Sequence, residues 1–159
     1  MLLPAKIGRD PMTSADSAEL LIVEDNPSDL ELTLRALKRC RIDNPTHAVK
    51  DGVEALDYLF HKGKYEAAGH DLPNVILLDL KLPKVDGIEV LQRVKSDRKT
   101  KLIPVVILTS SKEESDLLKS YDLGVNSYIR KPVDFDQFVE TVRQIGFYWM
   151  LINEQPQVY

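Results

Sequence analysis

Five short apolar runs, separated by longer segments with helical periodicity, constrain the fold of this chain more than any other feature. The clearest runs are Leu20–Val23, Val75–Leu78 and Pro104–Leu108. Their apolar residues are continuous instead of alternating, which is typical of strands that are buried on both faces of a parallel sheet. Thr46–Val49 and Ser127–Arg130 are weaker runs of the same kind. The pattern predicts five strands in one parallel sheet.

Between these runs, apolar residues recur every three or four positions, as in amphipathic helices. Most of these segments begin at a capping residue, and the predicted helix starts lie at Asn26-Pro27, Asp51-Gly52, Asp86-Gly87, Ser111 and Asp134. Parallel strands that are joined by short connections need helical crossovers that return over a face of the sheet. We therefore predict an α/β fold with a doubly wound, five-stranded parallel sheet and helices on both faces.

The length of 159 residues fits one domain. Residues 1–17 lack an apolar period, and we expect them to form a flexible leader. The domain is predicted over residues 18–146, and residues 147–159 are expected to extend the last helix and form a tail. No separate output domain is expected after this fold.

Charge and hydropathy argue against two kinds of partner. The net charge of −4 disfavours a nucleic-acid-binding surface. The longest apolar run, Phe147–Ile152, has six residues, whereas a membrane span needs about 20. One cysteine, Cys40, and a start without a signal-peptide pattern favour a reducing, cytoplasmic location. We expect neither nucleic acid nor a membrane as a partner.

Polar residues follow four of the predicted strands, at the edge where ligands bind in doubly wound sheets. They are Glu24 and Asp25 after the first strand, Asp79 after the third, Thr109 after the fourth and Lys131 just past the fifth. Asp25 and Thr109 alone have a simpler explanation as helix caps. Asp79 is harder to explain in this way, because an acid that ends a buried strand needs a partner.

Three carboxylates at one end of a sheet repel one another, and they are tolerated only with a cation among them or with raised pKa values. Oxygen ligands favour Mg²⁺, whereas Zn²⁺ prefers histidine or cysteine. The three histidines, His47, His61 and His70, are predicted in loop or helix positions away from the strand ends. We therefore predict a Mg²⁺ site.

Mg²⁺ beside a lysine and a strand-terminal aspartate suits phosphoryl transfer, in which the protein mainly positions groups and neutralises charge. The sequence contains no GxxxxGK[ST] or GxGxxG motif, so a nucleotide is not the expected donor. The remaining interpretation is that Asp79 is itself the nucleophile and becomes an acyl phosphate.

Five short motifs occur in order along these strand ends: Glu24-Asp25, Leu77-Leu78-Asp79-Leu80 with Leu82-Pro83, Asp86-Gly87, Thr109-Ser110-Ser111 and Lys131-Pro132. Together, over about residues 19–146, they resemble the motif set of two-component response-regulator receiver domains. The resemblance implies the flavodoxin-like receiver fold, with strand order 2-1-3-4-5.

The resemblance also implies how the site binds metal and phosphate. Asp79 would take a phosphoryl group from a phosphohistidine of a sensor histidine kinase. Asp25, Asp79 and the backbone carbonyl of Lys81 would bind Mg²⁺, and Glu24 would act through water.

The same resemblance implies a conformational switch. Thr109 and Lys131 would contact the phosphoryl group, and the Lys131-Pro132 bond would be cis. Tyr128 would rotate inward when Thr109 moves, although a core aromatic residue in a short strand is the alternative.

Four stretches narrow the resemblance further: Asn26-Pro27, residues 51–56, residues 131–134 and Phe147-Tyr148-Trp149. They are similar to stand-alone, chemotaxis-regulator-like receivers that are paired with bacterial phytochromes, which implies a phytochrome as the kinase. Lys81 occupies a position where receivers vary and where the residue tends to set the rate of acyl-phosphate hydrolysis. The lifetime of the phosphorylated state is therefore open.

Two function classes remain. The first is a phosphorylation-switched module that binds an unknown downstream protein through the fourth helix, fifth strand and fifth helix. It would not be an enzyme, since it would catalyse only its own phosphotransfer and dephosphorylation. The alternative is a phosphohydrolase that forms an aspartyl phosphate and uses a second acid, two residues after the nucleophile, to protonate the leaving group. That position holds Lys81, and no insertion supplies a substrate lid.

The C-terminal segment predicts self-association. Beyond Gly146, apolar residues surround the last helix on all sides, and such a helix end must be buried against something. A tail folded back on its own domain is one solution. We favour a homodimer across the fourth-helix to fifth-helix face, with Phe147 and Trp149 as aromatic anchors.

Overall fold

A computed structural model of the chain describes residues 20–42, 45–109, 112, 116–117, 119, 122–125, 127–130, 135–140 and 143. The strands are β1 (Leu20–Val23), β2 (Thr46–Val49), β3 (Val75–Asp79), β4 (Val105–Thr109) and β5 (Ser127–Arg130). They form one sheet in the order β2-β1-β3-β4-β5, and every neighbouring pair is parallel. The predicted α/β class and strand order 2-1-3-4-5 are confirmed.

Capping residues begin three of the helices in the described part of the chain, α1 (Pro27–Arg39), α2 (Gly52–Phe60) and α3 (Gly87–Ser96). The side chains of Asn26, Asp51 and Asp86 each accept a hydrogen bond from a backbone N–H of the first helical turn, which satisfies donors that the helix itself leaves unpaired. A short 3₁₀ helix, Gly63–Tyr65, follows α2, and residues 135–140 are also helical.

Apolar packing covers both faces of the sheet. Leu21 and Val23 of β1 face a core that includes α2 and α3, whereas Leu20 and Ile22 face a second core with α1 and residues 135–140. Side chains of a strand alternate between faces, so a strand that is buried on both sides needs a continuous apolar run. This explains why the runs in the sequence do not alternate.

Several predicted features lie outside the described residues: the leader, residues 1–17; Ser111 and Asp134 as helix starts; Lys131-Pro132; and the extension, residues 147–159, with Phe147 and Trp149. The assignment of residues 18–146 to one domain stays a prediction. Within the described part of the chain, none of the helices is long and apolar enough to cross a membrane.

Candidate functional site

Strand register brings two of the predicted acids together. The pairing of β1 with β3 ends at Val23 beside Leu78, so Glu24 and Asp79 follow at adjacent positions. Because side chains alternate between the two faces along a strand, the side chains of both residues belong to the same face of the sheet. Glu24 is 2% exposed and Asp79 is 6% exposed. Two carboxyl groups therefore lie buried at the carboxyl edge of the sheet.

Asp25 completes the acidic cluster from the solvent side. Carboxylate oxygens of Glu24, Asp25 and Asp79 all lie within 4.8 Å of one another, and Asp25 is the exposed member. Two unit charges at such a separation repel by about 3 kcal/mol at an effective dielectric constant of about 20. A hard divalent cation with oxygen ligands and open, water-filled positions fits this donor set.

Backbone hydrogen bonds hold Asp79 in place. The Lys81 N–H donates to Asp79 Oδ1 at 3.1 Å, and the Leu80 N–H donates to the Leu108 carbonyl at 3.2 Å. The Gly87 N–H closes the following loop on the Leu80 carbonyl at 2.9 Å. A Cβ atom on Gly87 would lie 2.5 Å from the Asp79 carbonyl oxygen, so this close approach requires glycine.

Thr109 ends β4, one position beyond the residue that pairs with Asp79, and the residue is 2% exposed. Tyr128 pairs with Ile107 in the adjacent strand, so Thr109 and Tyr128 are diagonal neighbours on one sheet face. Tyr128 is half-buried and packs against the α2–α3 core, and Lys119 Nζ lies 5.0 Å from its ring centroid. Burial raises the pKa of Tyr128. The switch roles of both residues stay predictions.

The three histidines form a second cluster that the sequence did not indicate. His47 lies in strand β2, so its assignment to a loop or helix was wrong. The rings of His47, Tyr58, His70 and His61 stack in that order, with centroids 4.0–4.3 Å apart. His47 Nε2 lies 3.0 Å from Tyr65 Oη. His70 Nε2 lies 2.9 Å from the Tyr58 carbonyl oxygen, and His61 Nε2 lies 2.9 Å from the His70 carbonyl oxygen. Within the described part of the chain, the group of potential metal ligands is Glu24, Asp25 and Asp79, and the histidines are not part of it.

Comparison with known proteins identifies the fold. The response regulator receiver domain profile matches residues 20–143. The chain belongs to the response regulator receiver domain family. The predicted family is thereby confirmed.

Relatives of this receiver include short regulators of similar length. It is 41% identical to the probable methanogenesis regulatory protein FilR2 of Methanothrix harundinacea, over 92% of this chain and 93% of that protein. It is 40% identical to response regulator Rcp1 of Synechocystis, over 82% of this chain and 88% of Rcp1. These alignments cover most of both chains in each pair.

Solved structures agree with the assignment to the receiver domain family. The bacteriophytochrome response regulator RtBRR is 54% identical, with a TM-score of 0.75 over 87% of this chain and 84% of that chain. The phosphorylated cyanobacterial phytochrome response regulator RcpA is 41% identical, with a TM-score of 0.75 over 88% of this chain and 99% of RcpA. A Mn²⁺-bound form of Rcp1 is 38% identical, with a TM-score of 0.74 over 89% of this chain and 99% of that chain. The receiver therefore has phytochrome response regulators among its homologues.

Proposed function

We propose that this receiver accepts a phosphoryl group on Asp79 from a sensor histidine kinase, with Mg²⁺ bound at the acidic cluster. The observation that carries the proposal is the buried carboxylate of Asp79, at the end of β3, with Glu24 and Asp25 within 4.8 Å. The relatives solved in phosphorylated and Mn²⁺-bound forms support the same chemistry.

The chain's own groups account for the steps of the transfer. A carboxylate oxygen of Asp79 attacks phosphorus, a P–O bond forms, and the P–N bond to the kinase imidazole breaks. The Lys81 N–H, which donates to Asp79 Oδ1, orients the nucleophile. Mg²⁺ would be held by Asp25, Asp79 and the Lys81 carbonyl, with Glu24 acting through water, and it would neutralise charge on the phosphoryl oxygens. Thr109 and Lys131 would contact those oxygens.

The proposed role is that of a cytoplasmic signalling protein and not of an enzyme with an external substrate. Phytochrome response regulators among the homologues support a phytochrome as the kinase. Phosphorylation would change the surface of the predicted fourth helix, β5 and the predicted fifth helix, where an unknown downstream protein binds.

Acetyl phosphate and a phosphate monoester distinguish this function from the phosphohydrolase alternative. We expect the receiver to acquire acid-labile phosphate from acetyl phosphate in the presence of Mg²⁺, and from a phosphorylated phytochrome kinase at a higher rate. We expect no turnover of p-nitrophenyl phosphate, because position 81 is a lysine, which cannot readily replace an acid that protonates a leaving group. Catalytic release of p-nitrophenol would favour the phosphohydrolase.

Thr109→Ala should separate phosphorylation from its structural consequence. The variant keeps Asp79 and the acidic cluster, so it should still accept phosphate from acetyl phosphate. It lacks the hydroxyl that would follow the phosphoryl oxygen, so the resonances of β5 around Tyr128 should respond less than in wild type. NMR spectra before and after phosphorylation measure this. Equal shifts at Tyr128 in both proteins would exclude the coupling role of Thr109.

We also propose that the receiver forms a homodimer, with Phe147 and Trp149 as anchors. The support is the apolar sequence of residues 147–152. A chain truncated after Ile145 should sediment as a monomer at tens of micromolar, where the full chain sediments as a dimer. Phosphorylation should shift the dimerisation constant of the full chain. A monomeric full chain, both with and without phosphate, would rule out the dimer.

A further inference from the structure

The loop between β3 and α3, residues 80–86, packs against the first turn of α2. A Cβ atom on Gly52 would lie 1.9 Å from the Val85 carbonyl oxygen and 2.7 Å from its carbonyl carbon. Ordinary contacts of this kind are about 3.4 Å or longer. The backbone of Gly52 therefore touches the backbone of the loop. A larger residue at position 52 must displace the loop.

An ion pair joins the same two segments. Lys84 Nζ lies 3.4 Å from Asp51 Oδ2, while Asp51 Oδ1 accepts the Glu54 N–H at 2.8 Å and caps α2. Because the Lys84 side chain is 65% exposed, solvent screens the pair and its contribution to stability is small. Lys84 also has a φ of 69°, a left-handed conformation that is strained for a non-glycine residue. The ion pair thus joins the loop to α2 at the surface, and the contact at Gly52 joins the two backbones directly.

The fixed loop leads directly to the proposed acceptor. Lys81, within the loop, donates its N–H to Asp79 Oδ1 at 3.1 Å. The hydrogen bond from Gly87 to the Leu80 carbonyl limits the freedom of the loop at its other end. Val85 therefore lies in a short loop that hydrogen bonds close at both ends, and one of these bonds is made by Lys81 to Asp79.

We propose that the first turn of α2 positions the acceptor loop, through Gly52 and the Asp51–Lys84 ion pair, so that the Lys81 carbonyl and Asp79 can bind a divalent cation together. Gly52 is a positioning residue, since it acts through Val85 and the loop. This inference rests on the proposed function of Asp79. It concerns α2, which the proposed phosphoryl chemistry does not otherwise involve.

Gly52→Ala tests the contact, and Gly69→Ala is the matched control because a Cβ atom there has nothing within 4 Å. In the metal-free protein, Gly52→Ala should accelerate amide hydrogen exchange at Lys81. Its Mg²⁺ affinity and its rate of phosphorylation by acetyl phosphate should each fall about tenfold or more, because misplacing a ligand by about 1 Å has effects of this order. Gly69→Ala should match wild type in all three. Wild-type exchange and Mg²⁺ affinity in a folded Gly52→Ala protein would overturn the proposal.

A Mg²⁺ titration of the wild-type chain tests the coupling without a variant that has to fold. If the first turn of α2 and the loop respond together, the amide resonances of Gly52 and Val53 should shift with the same midpoint as that of Lys81, and Gly69 should not shift. Shifts at Lys81 without shifts at Gly52 and Val53 would overturn this inference and leave the proposed metal site intact. No Mg²⁺-dependent shift at Lys81 would overturn both.

Discussion

Asp79→Asn is expected to abolish phosphorylation of the receiver and to raise its free energy of unfolding in metal-free buffer. The amide cannot act as the nucleophile that forms an acyl phosphate. It is nearly isosteric, and its Oδ1 can still accept the Lys81 N–H that Asp79 accepts at 3.1 Å. It also removes one negative charge from a cluster whose oxygens lie within 4.8 Å of one another. Relief of this repulsion should stabilise the fold by about 1 to 3 kcal/mol.

Acid-labile phosphate after incubation with acetyl phosphate and Mg²⁺ measures the first effect, and urea denaturation in EDTA measures the second. Asp71→Asn is the matched control, because it removes one exposed carboxylate in the connection that precedes β3, at the opposite edge of the sheet. That variant should be phosphorylated like wild type, with little change in stability. Phosphorylation of Asp79→Asn at a rate near that of wild type would show that another residue is the acceptor.

The acidic site was predictable from sequence because strand ends are marked locally. An apolar run that stops at an acid identifies both the strand and the edge where its side chain lies, as for Leu20–Val23 before Glu24 and Val75–Leu78 before Asp79. In a parallel sheet all carboxyl ends lie at the same edge. Adjacent strands then bring Glu24 and Asp79 together without further information.

Contacts between segments that are distant in the sequence carry no such local mark. Gly52 and Val85 are separated by a strand, a helix and two connections, and Asp51-Gly52 in the sequence indicates only a helix start. Their contact depends on how α2 packs beside α3, which periodicity does not specify. The histidine stack was missed for the same reason, since His47, His61 and His70 come from a strand, a helix end and a loop.

Asp25→Ala should weaken both Mg²⁺ binding and phosphotransfer strongly while leaving the fold intact. Asp25 is the exposed acid of the cluster, so its truncation creates no cavity in the core. Glu24 and Asp79 remain, but a site that binds Mg²⁺ through one or two carboxylates loses a direct ligand and a unit of negative charge. We expect the Mg²⁺ affinity to fall about tenfold or more, and phosphorylation by acetyl phosphate to fall with it.

Isothermal titration with Mg²⁺ and the rate of phosphorylation at saturating acetyl phosphate measure the two quantities, and EDTA should suppress the wild-type rate. Asp25→Asn keeps the size of the side chain and one oxygen ligand, so it should fall between wild type and Asp25→Ala if charge and ligation both matter. Asp71→Ala controls for the loss of one exposed carboxylate. Loss of metal binding with undiminished phosphorylation, or rapid phosphorylation of the wild-type receiver in excess EDTA, would show that the phosphoryl transfer needs no divalent cation at this cluster.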